Sequence, residues 1–313
     1  MKKLATLAGA LLGVACLFLF LRSAAKHWSA FQNLSLDAMG FACLAGAIVC
    51  YLGTHGASAA GWRLALRVFN EPLRYADALR IVTLSQIGKY LPGNVGQHVG
   101  RILLVQRSGI ATGHAVMSLA LESILLLGAA AFCCLAAYDL LLQAASSHTQ
   151  AIERNLSIVA GVGLLALLLA LAIRWSRQKL VHFAHRWLVL FSLRNFGLYA
   201  RILLLQAISF GVGAVALWLA IQAVSPIPLA APASIVGVYS IAWLLGFIVP
   251  GAPAGLGIRE ALLVAGLSTL YGAEPAVLGT ALFRLVTLLG DGIAFLCGLT
   301  LSRLHRTKNH IGA

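Results

Sequence analysis

Two arginines, Arg101 and Arg259, close the same pattern of residues. The first follows Gly88-Lys89-Tyr90-Leu91-Pro92-Gly93 and the second follows Gly246-Phe247-Ile248-Val249-Pro250-Gly251. Both stretches read G-x-x-x-P-G-x7-R. Proline removes a backbone donor and clashes with the preceding turn, and glycine loosens the backbone. A helix therefore breaks at Pro92-Gly93 and again at Pro250-Gly251. A break exposes backbone N–H groups at a half-helix N-terminus, which attract an anion. An arginine beside them adds a two-pronged grip that fits a phosphate. Lys89, Arg101 and Arg259 are thus the candidate ligands of a lipid headgroup.

Four more charges interrupt apolar stretches: Glu122, Glu260, Arg284 and Asp291. Charge at membrane depth is costly and is usually functional or paired. These four are expected to line a cavity or couple its opening. They also allow a purely internal role, with Arg101 paired to Glu122 and Glu260 to Arg284, locking hairpins against spans. Gln97 and His98 fall inside the first break, where His98 reads as a polar residue lining a cavity rather than a proton relay. His55 and His114 are expected at span ends. Tyr90 and Trp243 are expected to pack or to sit in an interfacial belt.

The elements that must position these residues follow from composition. The chain has 313 residues, 60% hydrophobic and 10% charged, with mean hydropathy +0.91. A soluble domain carries about 25% charged residues, so this is an all-α polytopic membrane protein. Its long apolar runs do not alternate with period two, which excludes a barrel. Spans are expected near residues 4–21, 38–60, 115–142, 156–173, 202–224 and 276–301. The broken stretches 75–109 and 233–271 lie between them. The first is too polar for two ordinary spans and suits a re-entrant hairpin; the second either re-enters or crosses twice. The count is about six to eight crossings plus two broken hairpins.

The net charge of +14 sits mostly in short loops, as the positive-inside rule requires, and does not call for nucleic acid. Assigning the basic loops and both termini to the cytoplasm gives a consistent alternation. Residues 1–313 then form one membrane domain with half-repeats of about 1–150 and 151–313, the second inverted. Paired Gly/Pro-interrupted segments in corresponding places of two halves point to a transporter's binding site. The six cysteines lie in apolar runs without metal spacing and read as packing residues. No Walker loop, HExxH, nucleophile elbow or zinc set is present, so no catalytic residue, metal or cofactor is expected.

The run Gly88–Gly93 with Arg101, Leu121-Glu122, the stretch Pro250-Gly251-Ala252-Pro253-Ala254-Gly255-Leu256-Gly257-Ile258-Arg259-Glu260, and Phe283-Arg284 resemble the transmembrane domain of lysylphosphatidylglycerol synthases. The resemblance covers nearly the whole chain. It implies the membrane domain that is associated, in that family, with flipping aminoacylated phospholipid between leaflets. It further implies a stand-alone member, without the soluble synthase domain and without synthase activity. After the first Pro-Gly this chain has Asn94-Val95-Gly96-Gln97-His98 in place of the commoner aromatic or glycine-rich run. The expected function is lipid translocation or lipid binding in a bacterial inner membrane. The lipid is an anionic or aminoacylated phospholipid, a hopanoid or a glycolipid. The alternative is a non-catalytic scaffold for a lipid- or glycan-modifying enzyme. A second copy of the chain and a lipid-biosynthetic enzyme are the expected protein partners.

Overall fold

The computed structural model describes residues 2–32, 34–91, 95–137, 195–225, 232–249 and 252–311. The expected span 156–173, the basic loop after it, and the break residues Pro92, Gly93, Pro250 and Gly251 lie outside the described residues. Among those described, regular structure is entirely helical: α1 (Lys2–Lys26), α2 (Trp28–Gln32), α3 (Ala38–Val68), α4 (Tyr75–Ser85), α5 (Gly96–Gln106), α6 (Thr112–Cys134), α7 (Phe196–Gln222), α8 (Pro232–Ile248), α9 (Ile258–Tyr271) and α10 (Ala273–Ile311). Short 3-10 turns cover Gln86–Tyr90, Leu135–Ala137 and Pro253–Gly255. Four helices, α3, α6, α7 and α10, are long and apolar enough to cross a membrane. Their outward side chains include Phe41, Phe132, Leu204, Leu289 and Leu296, all exposed. Such apolar surface suits a hydrocarbon solvent and not water.

The centre of the molecule is the antiparallel pair α3–α7. A row of small residues on α3 makes the approach close. A Cβ at Gly40 would lie 3.0 Å from the Ala223 carbonyl, one at Gly46 3.4 Å from Leu219, and one at Gly61 3.0 Å from Gln206. Small residues let helix backbones meet where lipid offers no hydrophobic drive. The start of α3 is fixed by Asp37, whose carboxylate accepts the Gly40 N–H at 2.7 Å.

Each broken stretch folds into a helical hairpin. α4 and α5 have 11 residues each, about 16 Å of helix against a ~30 Å hydrocarbon core. They run antiparallel: the Gly88 carbonyl faces Gly96, and a Cβ added at Gly100 would lie 3.1 Å from that of Ser85. Side chains at Gly88 and Gly96 would collide with the opposite backbone, so the crossing needs glycine. α8 and α9 have 17 and 14 residues. They are antiparallel as well, with Gly246 against Arg259 and Gly266 against Val238.

The hairpins open at opposite ends of the α3–α7 pair. The Glu71–His114 contact, 2.7 Å, puts the open end of the first beside the end of α3. Gly40 against Ala223 and Gly279 against Ile221 put the open end of the second beside the start of α3. The tips meet midway, where the His98 ring lies edge-on to Phe247 at 6.5 Å. Exchanging α3–α6 with α7–α10 maps one set of packed pairs onto the other. α3 packs on α4, α6 and α10 as α7 packs on α8, α10 and α6, and α4 packs on α10 as α8 packs on α6.

Candidate functional site

The two tips, α3, α6, α7 and α10 enclose a cavity of about 170 Å³. It has room for several waters or for a compact polar group. Six of the seven charged residues singled out from the sequence line it, Lys89, Arg101, Glu122, Arg259, Glu260 and Arg284, and the seventh, Asp291, stands behind Lys89 and pairs with it. They arrive from five elements: the first turn and α5 of one hairpin, α9 of the other, and the flanking α6 and α10.

The first group holds hairpin one to α10 and α3. Asp291 is 2% exposed. Its carboxylate pairs with Lys89 Nζ at 2.7 Å and accepts hydrogen bonds from Tyr51 Oη at 2.9 Å and from Tyr90 Oη. His55 Nε2 stands 3.4 Å away. A buried carboxylate is tolerated when paired and fully hydrogen-bonded, and this one is. His55 departs from the span-end expectation. It is buried because α3 continues to Val68, which puts residue 55 well inside the helix. Tyr90 takes the packing alternative of its expectation and not the interfacial belt, with its hydroxyl donating to Asp291. His114 fits its expectation, half exposed at the end of α3 and paired with Glu71.

The second group holds α5 to α6 and α3. Arg101 Nη1 meets Glu122 Oε2 at 2.9 Å. Ser58 accepts from Arg101 Nη2 at 3.2 Å and donates to Glu122 Oε1 at 3.2 Å, closing a three-residue ring. The guanidinium lies over the Trp62 ring at 5.6 Å, and Trp62 donates to Ser118 at 3.1 Å. Arg101 is 6% exposed and Glu122 4%. Their short, charge-assisted contact is of the strong class.

The third group differs. Glu260 pairs with Arg284 at 3.3 Å, and its other oxygen accepts the Gly257 N–H at 2.7 Å. Gly257 has φ +83° and precedes α9, a conformation natural to glycine and unnatural to other residues. The half-helix N-terminus expected to attract an anion is therefore met by the chain's own carboxylate. Arg259 is left over. Among the described residues no carboxylate lies within 4.0 Å of it, and its buried Nε has no hydrogen-bond partner. Its stem passes between Gly246 and Gly255, where a Cβ would fall 2.5 Å and 2.7 Å from it. Its guanidinium stands over Trp243 at 5.5 Å, and Trp243 stacks on Phe247 at 5.0 Å.

Both internal pairs foreseen from the sequence, Arg101–Glu122 and Arg284–Glu260, are present. Tyr51, Ser58 and Trp62 were not singled out. All three sit on α3, which reads as an ordinary span. One signal was available: Tyr51, Thr54, His55 and Ser58 recur at i, i+3, i+4 and i+7, a polar stripe on an apolar helix.

No curated protein sequence matches the chain. The family model for the lysylphosphatidylglycerol synthase TM region matches residues 6–294, a stretch that includes both hairpins and every charged residue of the cavity. An all-helical membrane domain with paired broken hairpins, matched over that length, places the chain in the lysylphosphatidylglycerol synthase TM region family.

Proposed function

We propose that the protein binds the headgroup of a polar membrane lipid in the cavity between the two hairpin tips and passes that lipid between leaflets. The observation that carries the reading is a cavity lined by charges at the meeting point of two hairpins that open to opposite ends. A membrane offers few reasons to keep six charges at such a place other than to meet a polar ligand. Non-helical backbone at membrane depth is tolerated where it lines a cavity. Ile87, Leu91, Val95 and Val99 make an exposed apolar row on the first hairpin, which supports its dipping into lipid.

In this reading the chain is not an enzyme. It sits in the inner membrane with the end that carries Arg67, Arg74, Arg107 and Arg201 toward the cytoplasm. The two halves act as an inverted repeat that rocks about the fixed site. The test is a leaflet-accessibility assay. Proteoliposomes carrying a fluorescent phospholipid are exposed to an impermeant quencher, with and without Arg259→Ala. Wild type is expected to bring both leaflets into reach. The variant is expected to slow this by tenfold or more, since a charge-assisted contact of ~1.5–3 kcal/mol corresponds to about 10- to 100-fold. Equal rates for protein-free, wild-type and Arg259→Ala vesicles would end the reading.

A further inference from the structure

We infer that the cavity is built for a headgroup with one net negative charge, a phosphodiester, and that Arg259 alone anchors it while its counterpart Arg101 is a fixed part of the wall. This rests on the lipid-binding reading above and narrows it.

The argument begins with charge. The described lining has four cations, Lys89, Arg101, Arg259 and Arg284, and two acids, Glu122 and Glu260; a third acid, Asp291, lies directly behind the wall against Lys89 and belongs to the same charge balance. With the two lining histidines neutral, four minus three leaves one positive charge. Three cations are matched one to one with the acids, at 2.7, 2.9 and 3.3 Å. The surplus resides on Arg259. A guanidinium held inside a membrane protein without an acid is costly and favours a counter-charge.

Geometry agrees with the count. Arg259 is held by backbone and not by an acid. Its stem fills the gap left by two glycines, Gly246 and Gly255, and its flat head rests on Trp243. That support fixes the fork without consuming its donors, and the buried Nε–H is one of them. A planar fork of free donors fits two phosphate oxygens at once. The nearest acid, Glu260, is already engaged by Arg284 and by the Gly257 N–H.

The comparison of halves explains why one arginine is free. Arg101 and Arg259 hold the same place in the shared G-x-x-x-P-G-x7-R spacing. The helix after the first hairpin, α6, presents Glu122 to Arg101. The helix after the second, α10, presents a cation, Arg284, which takes Glu260. The sign of the pairing helix is reversed, so the second arginine loses its acid. A phosphodiester brings the missing charge and leaves the cavity neutral. A zwitterionic headgroup would leave Arg259 uncompensated overall, and a phosphate monoester, near −2 at neutral pH, would overshoot.

The test titrates the purified full-length protein in mild detergent with short-chain phosphatidylglycerol, phosphatidylcholine, phosphatidic acid and inorganic phosphate, reading bound ligand by native mass spectrometry. The expected result is phosphatidylglycerol retained about tenfold more tightly than phosphatidylcholine, the difference of one charge-assisted contact. Phosphatidic acid should fall between them, and inorganic phosphate should not displace phosphatidylglycerol. Arg259→Gln should erase the preference between the first two lipids while lipid is still retained. Arg259→Lys should keep part of it, which guards against a glutamine variant that fails to fold. Equal retention of all lipids by wild type, or a full preference surviving in Arg259→Gln, would overturn this inference and leave lipid binding standing. Displacement by inorganic phosphate would reassign the site to the free anion. Retention of no lipid at all would overturn the lipid-binding reading itself.

Discussion

Arg101 and Glu122 show how a charge at membrane depth becomes structure. Each is nearly buried, and each satisfies the other together with Ser58. Such a pair is strong evidence of mutual dependence and weak evidence of net stabilisation, because desolvation offsets much of the attraction. The two cases separate experimentally. Arg101→Met alone should strand a buried carboxylate and lower stability by ~3–5 kcal/mol, whereas Arg101→Met with Glu122→Leu should recover most of that loss. Thermal or denaturant unfolding in detergent measures both. Strictly additive costs in the double variant would show that the two side chains act independently. Arg259 is the opposite case, a cation given rigid support and no acid.

Close approach is what the glycines of the long helices provide. Gly290 on α10 faces the ring of Tyr51 on α3, and a Cβ added at Gly298 would lie 2.7 Å from Thr83 and 3.0 Å from Leu84 of α4. The first contact matters for the site, since Tyr51 donates to Asp291 and accepts from Lys89. Gly290→Ala should push the tyrosine aside and cost ~1–3 kcal/mol by overpacking. Gly211 on α7 has nothing within 4 Å of an added Cβ. Gly211→Ala should be neutral or stabilise by up to ~1 kcal/mol through helix propensity. Melting temperatures of the two variants, measured side by side in one detergent, decide between packing and propensity. A loss at Gly211 equal to that at Gly290 would show that α10 does not press on α3 as described.

At the scale of the whole molecule, the opposed hairpins make a directional claim. The open end of the first lies beside the end of α3, and that of the second beside its start. Cysteines placed in a Cys-free background at Ser108 and at Glu274, both exposed, should react with an impermeant maleimide from opposite sides of the membrane. Labelling of both from the same side in intact vesicles would refute the inverted arrangement. The two helices of the first hairpin, 11 residues each, are too short to cross a ~30 Å hydrocarbon core, and its tip meets that of the second at Phe247.

Much of this was legible in the residues. Low charge and long apolar runs require a helical membrane protein, because only helices or closed barrels satisfy their own backbone in lipid. The repeated spacing that ends on Arg101 and Arg259 marked both hairpins, and six of the seven charges out of place in apolar stretches marked the cavity wall, with Asp291 behind it. The sequence determined, then, which residues cannot be left in lipid alone. It allowed two pairs, Arg101 with Glu122 and Glu260 with Arg284, beside a ligand-binding role for the same residues, and it left the partner of Lys89 open. Arg101 and Arg259 are equivalent in the pattern, and local sequence holds nothing to tell them apart. Partners come from helices distant in the chain, Glu122 from α6 and Arg284 from α10, and their separation is set by how glycine rows let α3, α7 and α10 approach. Only that packing decided that one arginine is locked and the other stands free, because a salt bridge depends on distances of a few ångströms that no spacing along a single chain records.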